Sequence, residues 1–436
     1  MPDQARLAIV LHTHMPYVEG FGTWPFGEEW LWEAVATSYL PLLDVLDERL
    51  TLSLTPVLCD QLEAPGAMAR CQRFLSEVRP DTHAMDIKSY AHVPGAAAAL
   101  EYSAALYAAA ADRLEQDGDL LHALGKYARW TSSATHAILP LLALDESVKC
   151  QLDTGIAAHR RRFGGWDGGF WLPECAFAPW LGPQLEEAGV HTSCVELPGA
   201  EPGRPLQLEA GPLLWPIDRP LIDLVWGAGG YPSKGVYRSS HSRTAHDHCI
   251  WANHGGIYDP VAATAQAQAD AAAFVSAAKA QKRLSVFAID TELLGHWWHE
   301  GAQWLGFVLE QAEAQGLEIT PMDALREAPV HARDLPVSSW GEGGDLRTWS
   351  SGQAADLAFG LRSAELRAWK AAPSLRAQRE LLAAQSSDWA FLEHRGWAGG
   401  YGRRRYDAHL LALGQALRGE LADPALRGLA PDLLPT

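Results

Sequence analysis

With 436 residues, 48% hydrophobic and 20% charged, the chain can bury more than one hydrophobic core and has little scope for disorder, so a large domain with a smaller appendage is expected. Its formal charge of −18, from 53 acidic residues against 35 lysines and arginines, argues against nucleic acid or an anionic membrane as a partner. Six scattered cysteines with no C-x-x-C pair, no signal-peptide pattern and no apolar run of about 18 residues point to the cytoplasm, and away from disulfides, a thiolate zinc site or a membrane span.

The chain opens with an unbroken apolar run at 7–11, the mark of a strand buried on both faces, which delivers His12 and His14 at its end. Their i, i+2 spacing turns both imidazoles to one side of an extended chain, suited to a pair of metal ligands or to two hydrogen-bond donors for a substrate. A second strand is expected at 52–57. The stretch 96–124 is almost wholly helix-forming and predicts a helical insertion, at about 90–128, packed beside the strands. His136 comes next in TSSATH, and a strand at 169–172 then runs through Pro173 into Glu174. Further strands are expected at 192–195 and 222–225. The glycine-rich segment 227–238 carries Tyr231 and predicts a mobile cover within a loop at about 227–255. The last strand, 284–289, ends on Asp290, with His296 and Trp297 just beyond. From about residue 352 only helical patterns remain, so a β/α region over 1–335 gives way to a helical domain over 336–436.

In β/α barrels the reactive groups collect at the C-terminal ends of the strands, where the loops form the open face. Glu174 and Asp290 both stand there, and a carboxylate at the mouth of a buried strand is either paired or used. Two alternatives stay open at this level. Each acid could simply cap the next helix, or His12, His14 and Asp290 could hold a metal as in amidohydrolase-type enzymes, leaving Glu174 incidental. Tryptophan occurs 18 times against 11 Phe and 11 Tyr, and flat indoles suit the apolar faces of sugar rings.

Five separated motifs join these residues: HTHMPY at 12–17, SSATHAILPLL at 132–142, WLPECAFAP at 171–179, FAIDTELLGHWWHEG at 287–301 and SSWGEGGDLRTW at 338–349, with QSSDWAF beyond them at 385–391. In that order they resemble glycoside hydrolase family 57, and within it the glycogen (1,4-α-glucan) branching enzymes. The resemblance implies an α/β fold: an incomplete (β/α)7 barrel with a helical insertion and a C-terminal α-helical domain closing the cleft. It implies a retaining enzyme that acts on α-glucans with no metal and no cofactor, Glu174 being the nucleophile and Asp290 the general acid/base. It further implies that His12, His14 and His136 line the donor sugar site, with His296 and Trp297 nearby. Trp340, Trp349 and Trp389 would wall the cleft, Asp388 would bind a sugar hydroxyl, and Tyr231 would help shield the glycosyl-enzyme from water. Branching is the first expectation for the acceptor, ahead of α-amylase-type hydrolysis and 4-α-glucan transfer.

Overall fold

The computed structural model describes residues 5–23, 26–420 and 428–434, so the parts of the expected ranges at 1–4, 24–25, 421–427 and 435–436 lie outside the described residues. Seven strands among the described residues surround the centre: β1 (Arg6–Thr13), β2 (Thr51–Leu54), β3 (Ala128–Ser132), β4 (Phe170–Trp171), β5 (Thr192–Val195), β6 (Leu213–Pro216) and β7 (Leu284–Asp290). Parallel pairing runs in the order β4, β3, β2, β1, β7. A bridge between Gly169 and Thr192 joins β4 to β5, and β5 pairs in parallel with β6. Between β6 and β7 there is no ladder among the described residues, only the Asp218 amide donating to the Val286 carbonyl at 2.7 Å. The ring is therefore an incomplete (β/α)7 barrel.

The apolar run of β1 is buried from Leu7 to Leu11 because strands flank it on both edges and side chains cover both faces. Its register fixes the geometry of the open face. Val10–Thr13 lie opposite Thr51–Leu54 on β2, and Arg6–His12 lie opposite Leu284–Asp290 on β7, so His12 stands between Ser53 and Asp290. A one-residue slip of β7 against β1 would turn Asp290 into the wall.

The helix-forming stretch after residue 95 is the helix Ala96–Asp117. The helix Pro260–Ala280 starts where the Asp259 carboxylate accepts from the amides of Val261 and Ala262. Toward the C-terminus four helices, Ala355–Lys370, Leu375–Ala384, Ser387–Arg395 and Tyr401–Leu417, pack on one another. Leu382, Trp389 and Tyr401 share one apolar cluster with Tyr17, Val57 and Ala134 of the barrel, so the two parts are held by a common core. No helix among the described residues is long and apolar enough to cross a membrane.

Three local expectations are corrected. The run 222–225 lies in the helix Arg219–Trp226, where Leu221, Ile222 and Val225 form a buried helical face, and Pro220 sits in the first turn, where it needs no amide. The strand expected at 52–57 stops at Leu54 because Pro56 opens the helix Pro56–Leu62. Strands β3 and β6 were not expected from the sequence, since the charged and aromatic residues of ARWTS and the proline of LLWP mask their apolar character.

Candidate active site

Glu174 leaves β4 through Leu172 and Pro173 in the left-handed region, at φ 60°, with Cys175 next at φ 50°. That turn throws the carboxylate out of the barrel wall toward the open face. A neighbouring segment locks it in place. Phe177 and Ser338 exchange backbone hydrogen bonds of 2.9 and 3.0 Å, and the Trp340 amide donates to the Glu174 carbonyl at 3.0 Å. This alignment brings the Trp340 indole N–H to Oε2 of Glu174 at 2.6 Å, with the indole packed beside Trp171 at 5.2 Å.

The three histidines form a stacked group. His12 lies on Trp171 at 4.6 Å, His136 on His12 at 5.0 Å and His14 on His136 at 4.0 Å. Nε2 of His12 faces Nε2 of His136 at 2.9 Å, so one donates and the other accepts, and their tautomers are coupled. Nδ1 of His136 meets the Ser387 hydroxyl at 2.8 Å and stands 3.9 Å from Oε1 of Glu174. Burial, with mutual repulsion among the three imidazoles, drives His12 and His136 well below the ordinary histidine range. They are held neutral, and their ring nitrogens are taken up by each other, Ser53 and Ser387, so they add no charge to this space.

Asp290 closes β7, and its carboxylate accepts no hydrogen bond among the described residues. Two residues on, Glu292 is buried and accepts at Oε1 from the Tyr39 hydroxyl at 2.7 Å and from the His14 amide at 3.1 Å. The loop is held by Thr13 and Thr291, whose hydroxyls meet at 2.7 Å, and by Ser38 donating to the Thr291 carbonyl at 3.0 Å. Gly295 sits at φ 109° against this segment, and a Cβ there would fall 1.8 Å from the Thr37 carbonyl oxygen, so only glycine fits.

The electrostatics stem from this crowding. No lysine or arginine pairs with Glu174, Asp290 or Glu292 among the described residues. Burial and then the Asp290 charge lift Glu174 to about 8, while burial and then Glu292 lift Asp290 to about 7. Two such acids titrate as a pair, and the pair keeps a proton near neutrality. No three His, Cys, Asp or Glu side chains among the described residues are disposed to share a metal ion.

The remaining expected residues divide. Asp388 reaches the site but is engaged: Oδ1 meets Nε2 of His14 at 3.0 Å, and Oδ2 accepts from Ser386. It orients His14 instead of presenting a free carboxylate to a sugar. Trp297 is 38% exposed beside His296, whose Nδ1 lies 3.5 Å from the Thr37 hydroxyl. Trp349 and Trp389 are buried, and both line a cavity with Ile138, Ser387 and Tyr406 that none of Glu174, Asp290, His12, His14 or His136 lines. Trp349 is 2% exposed among Ile138, Ala176 and Phe391, and Trp389 is 1% exposed, donating to the Ala383 carbonyl at 2.8 Å under Arg405. Tyr231 is 8% exposed and packs toward Trp304, with Lys234 over its ring at 5.1 Å. The expected cover is pinned as well: the Asn253 side chain donates to the Pro232 and Lys234 carbonyls at 2.9 Å, and Tyr237 donates to Asp270 at 2.6 Å. An aromatic ring with apolar surface to bury is held against the barrel rim, so Tyr231 does not stand as an exposed tip of the segment.

Sequence reasoning missed Glu292, Tyr39 and Ser387 as neighbours of the reactive groups. Glu292 lies two residues after Asp290, but the strand ends there in the 3-10 turn Thr291–Leu293, so no strand alternation signalled where it would face. Tyr39 and Ser387 come from distant segments and carried no local signal.

Known proteins resemble this chain over nearly its whole length. The 1,4-α-glucan branching enzyme of Thermococcus kodakarensis is 30% identical over 92% of this chain and 72% of its own. The crystal structure of a GH57-type branching enzyme from Pyrococcus horikoshii superposes with a TM-score of 0.87 at 30% identity, covering 96% of this chain and 92% of that one. A structure of the T. kodakarensis enzyme in complex with glucose and additives also gives 0.87, at 28% identity, with 99% and 94% covered. Residues 362–425 match the sequence profile described as 1,4-alpha-glucan branching enzyme, C-terminal, and residues 8–336 match that of glycosyl hydrolase family 57. By that match over most of its length, the chain belongs to glycosyl hydrolase family 57.

Proposed function

We propose that the protein is a 1,4-α-glucan branching enzyme working by retention, with Glu174 as nucleophile and Asp290 as general acid/base. The observation that carries this reading is the difference in hydrogen bonding between the two half-buried carboxylates at the open face. Glu174 is fixed and aimed by the Trp340 N–H, as an attacking group must be, whereas Asp290 accepts no hydrogen bond among the described residues and is free to pass on the proton that the coupled pair keeps near neutrality. Retention requires about 5–5.5 Å between two such carboxyl groups, and the charge of Asp290 is felt at Glu174, after burial the next cause of its raised pKa.

The reaction then runs in two displacements. Asp290 gives its proton to the O4 leaving oxygen as Glu174 attacks C1, breaking the α-1,4 bond and forming a glycosyl ester. Asp290, now the base, takes the proton from a 6-hydroxyl whose oxygen attacks C1 from the vacated face, forming an α-1,6 bond and freeing Glu174. The stacked His12, His14 and His136, ordered by hydrogen bonds to one another, Ser387 and Asp388, form a wall of the donor site, and exposed Trp297 suits stacking on a sugar. Six unpaired cysteines support a reducing compartment such as the cytoplasm.

Incubation with amylose tests the reading. New α-1,6 linkages should outnumber new reducing ends, while release of reducing ends alone would make the protein an amylase.

A further inference from the structure

Behind the Asp290 loop lies a second cavity of about 370 Å³, within the span of about 300–1,000 Å³ usual for small-ligand sites. It opens between the helices Ala96–Asp117 and Gly301–Gln315, and none of Glu174, Asp290, His12, His14 or His136 lines it. Ala36 and Thr37 form part of its wall, while the next two residues, Ser38 and Tyr39, hold Thr291 and Glu292 on the side of the reactive groups. One layer of backbone therefore separates the two spaces.

Four rings, Tyr102, Tyr107, Tyr258 and His299, line the cavity, and His299 meets two of them edge to face. Tyr258 and His299 are 5.8 Å apart at 81°, Tyr102 and His299 are 6.4 Å apart at 87°, and Tyr102 is 6.1 Å from Tyr258. Among them stands Glu300, 3% exposed. Its Oε1 accepts from the Arg238 amide at 3.2 Å, but its Oε2 has no well-directed donor, with the Tyr258 hydroxyl beside it. The Arg238 guanidinium lines the same space and makes no ion pair among the described residues. A buried acceptor left open is costly unless a ligand completes it.

The chemistry of the lining selects the ligand. An anion would meet Glu300 and a cation would meet Arg238, while Asp44 and Arg113 at the rim pair with each other at 2.6 Å. A neutral hydroxyl can donate to Glu300 and accept from Arg238 at once, and aromatic rings suit the C–H faces of a sugar. We propose that this cavity is a second saccharide site, which takes a short stretch of α-1,4-linked glucan apart from the chain being cut. The glucan rests on the function proposed above, whereas the neutral polyhydroxyl class rests on the cavity itself.

Calorimetric titration of maltohexaose into the Glu174→Gln protein, which should bind without turning over, is expected to reveal two classes of site. Adding Gln303→Trp, at a position on the cavity rim, should remove one class. Adding Tyr102→Ala instead should weaken the same class by about ten-fold or more, the scale of one lost contact. The two changes act on different walls, and whichever variant keeps the parent melting temperature is decisive. A binding profile unaltered by that variant overturns the second site and leaves the reading of the cleft standing. No maltohexaose binding at all, together with no turnover of amylose by the wild type, overturns both.

Discussion

The indole nitrogen of Trp340 lies 2.6 Å from Oε2 of Glu174, and the amide of the same tryptophan donates to the Glu174 carbonyl at 3.0 Å. One residue thus sets both the backbone and the carboxylate of the proposed nucleophile. A hydrogen bond to a charged group contributes about 1.5–3 kcal/mol, and here it favours the ionised acid. Trp340→Phe keeps a ring beside Trp171 and removes the N–H. Its kcat should fall about 10- to 100-fold with the melting temperature nearly unchanged. An unaltered kcat would remove the indole from the mechanism.

The division of labour between the acids is tested by a donor that needs no protonation. Glu174→Gln should lose turnover by roughly a thousand-fold or more, because a neutral amide cannot form the glycosyl ester. Asp290→Asn should be as poor on amylose, yet an activated glycosyl fluoride should still load Glu174 in that variant. Mass spectrometry would show the adduct, and its absence would reverse the assignment.

Burial holds Asp290 at about 7 and Glu292 at about 8, both above their values in an unfolded chain. A carboxyl raised by folding stabilises the native state fully below its unfolded pKa, near 4, and that contribution disappears as pH rises through the folded value. The melting temperature should therefore decline from about pH 5 to about pH 8.5. Glu292→Gln leaves an oxygen to accept from Tyr39 and His14 and should flatten the decline. Because Glu292 ionises in the same pH range and raises Asp290 as it does so, the change should also move the alkaline limb of kcat/KM to lower pH. A limb that stays in place would confine Glu292 to a structural role.

Tyr231 and Trp349 are core residues, and their loss should read as instability. Tyr231→Ala and Trp349→Ala should each cost about 3 kcal/mol, seen in denaturant melts. The ratio of α-1,6 linkages to reducing ends should not change in Tyr231→Ala. A shifted ratio at unchanged stability would restore Tyr231 as part of a cover.

Much of this was legible in the sequence because strands announce their ends. The runs before His12, Glu174 and Asp290 are apolar without alternation, and each stops at a polar residue, so the loop face could be assigned before any coordinates. Features set by long-range packing could not. Ile222 and Val225 read equally as strand or helix over four residues, and only Pro220 and the buried partners decide. The cluster of Trp340, Trp349 and Trp389 looks uniform in sequence. In the structure Trp340 touches the nucleophile, while the other two fill apolar space between the barrel and the helices. The cavity by Glu300 was invisible because its walls come from five segments far apart in the chain.

The left-handed turn at Glu174 and Cys175, with His136 at φ 58° opposite, has a bearing on laboratory evolution. A side chain held there costs about 1–2 kcal/mol that glycine would not, and the buried carboxylate adds to the burden. A library screened only for heat resistance would therefore reward Glu174→Gly, hardening the scaffold while silencing it. Selection on residual transfer after heating, rather than on soluble protein after heating, is the regime under which this turn survives.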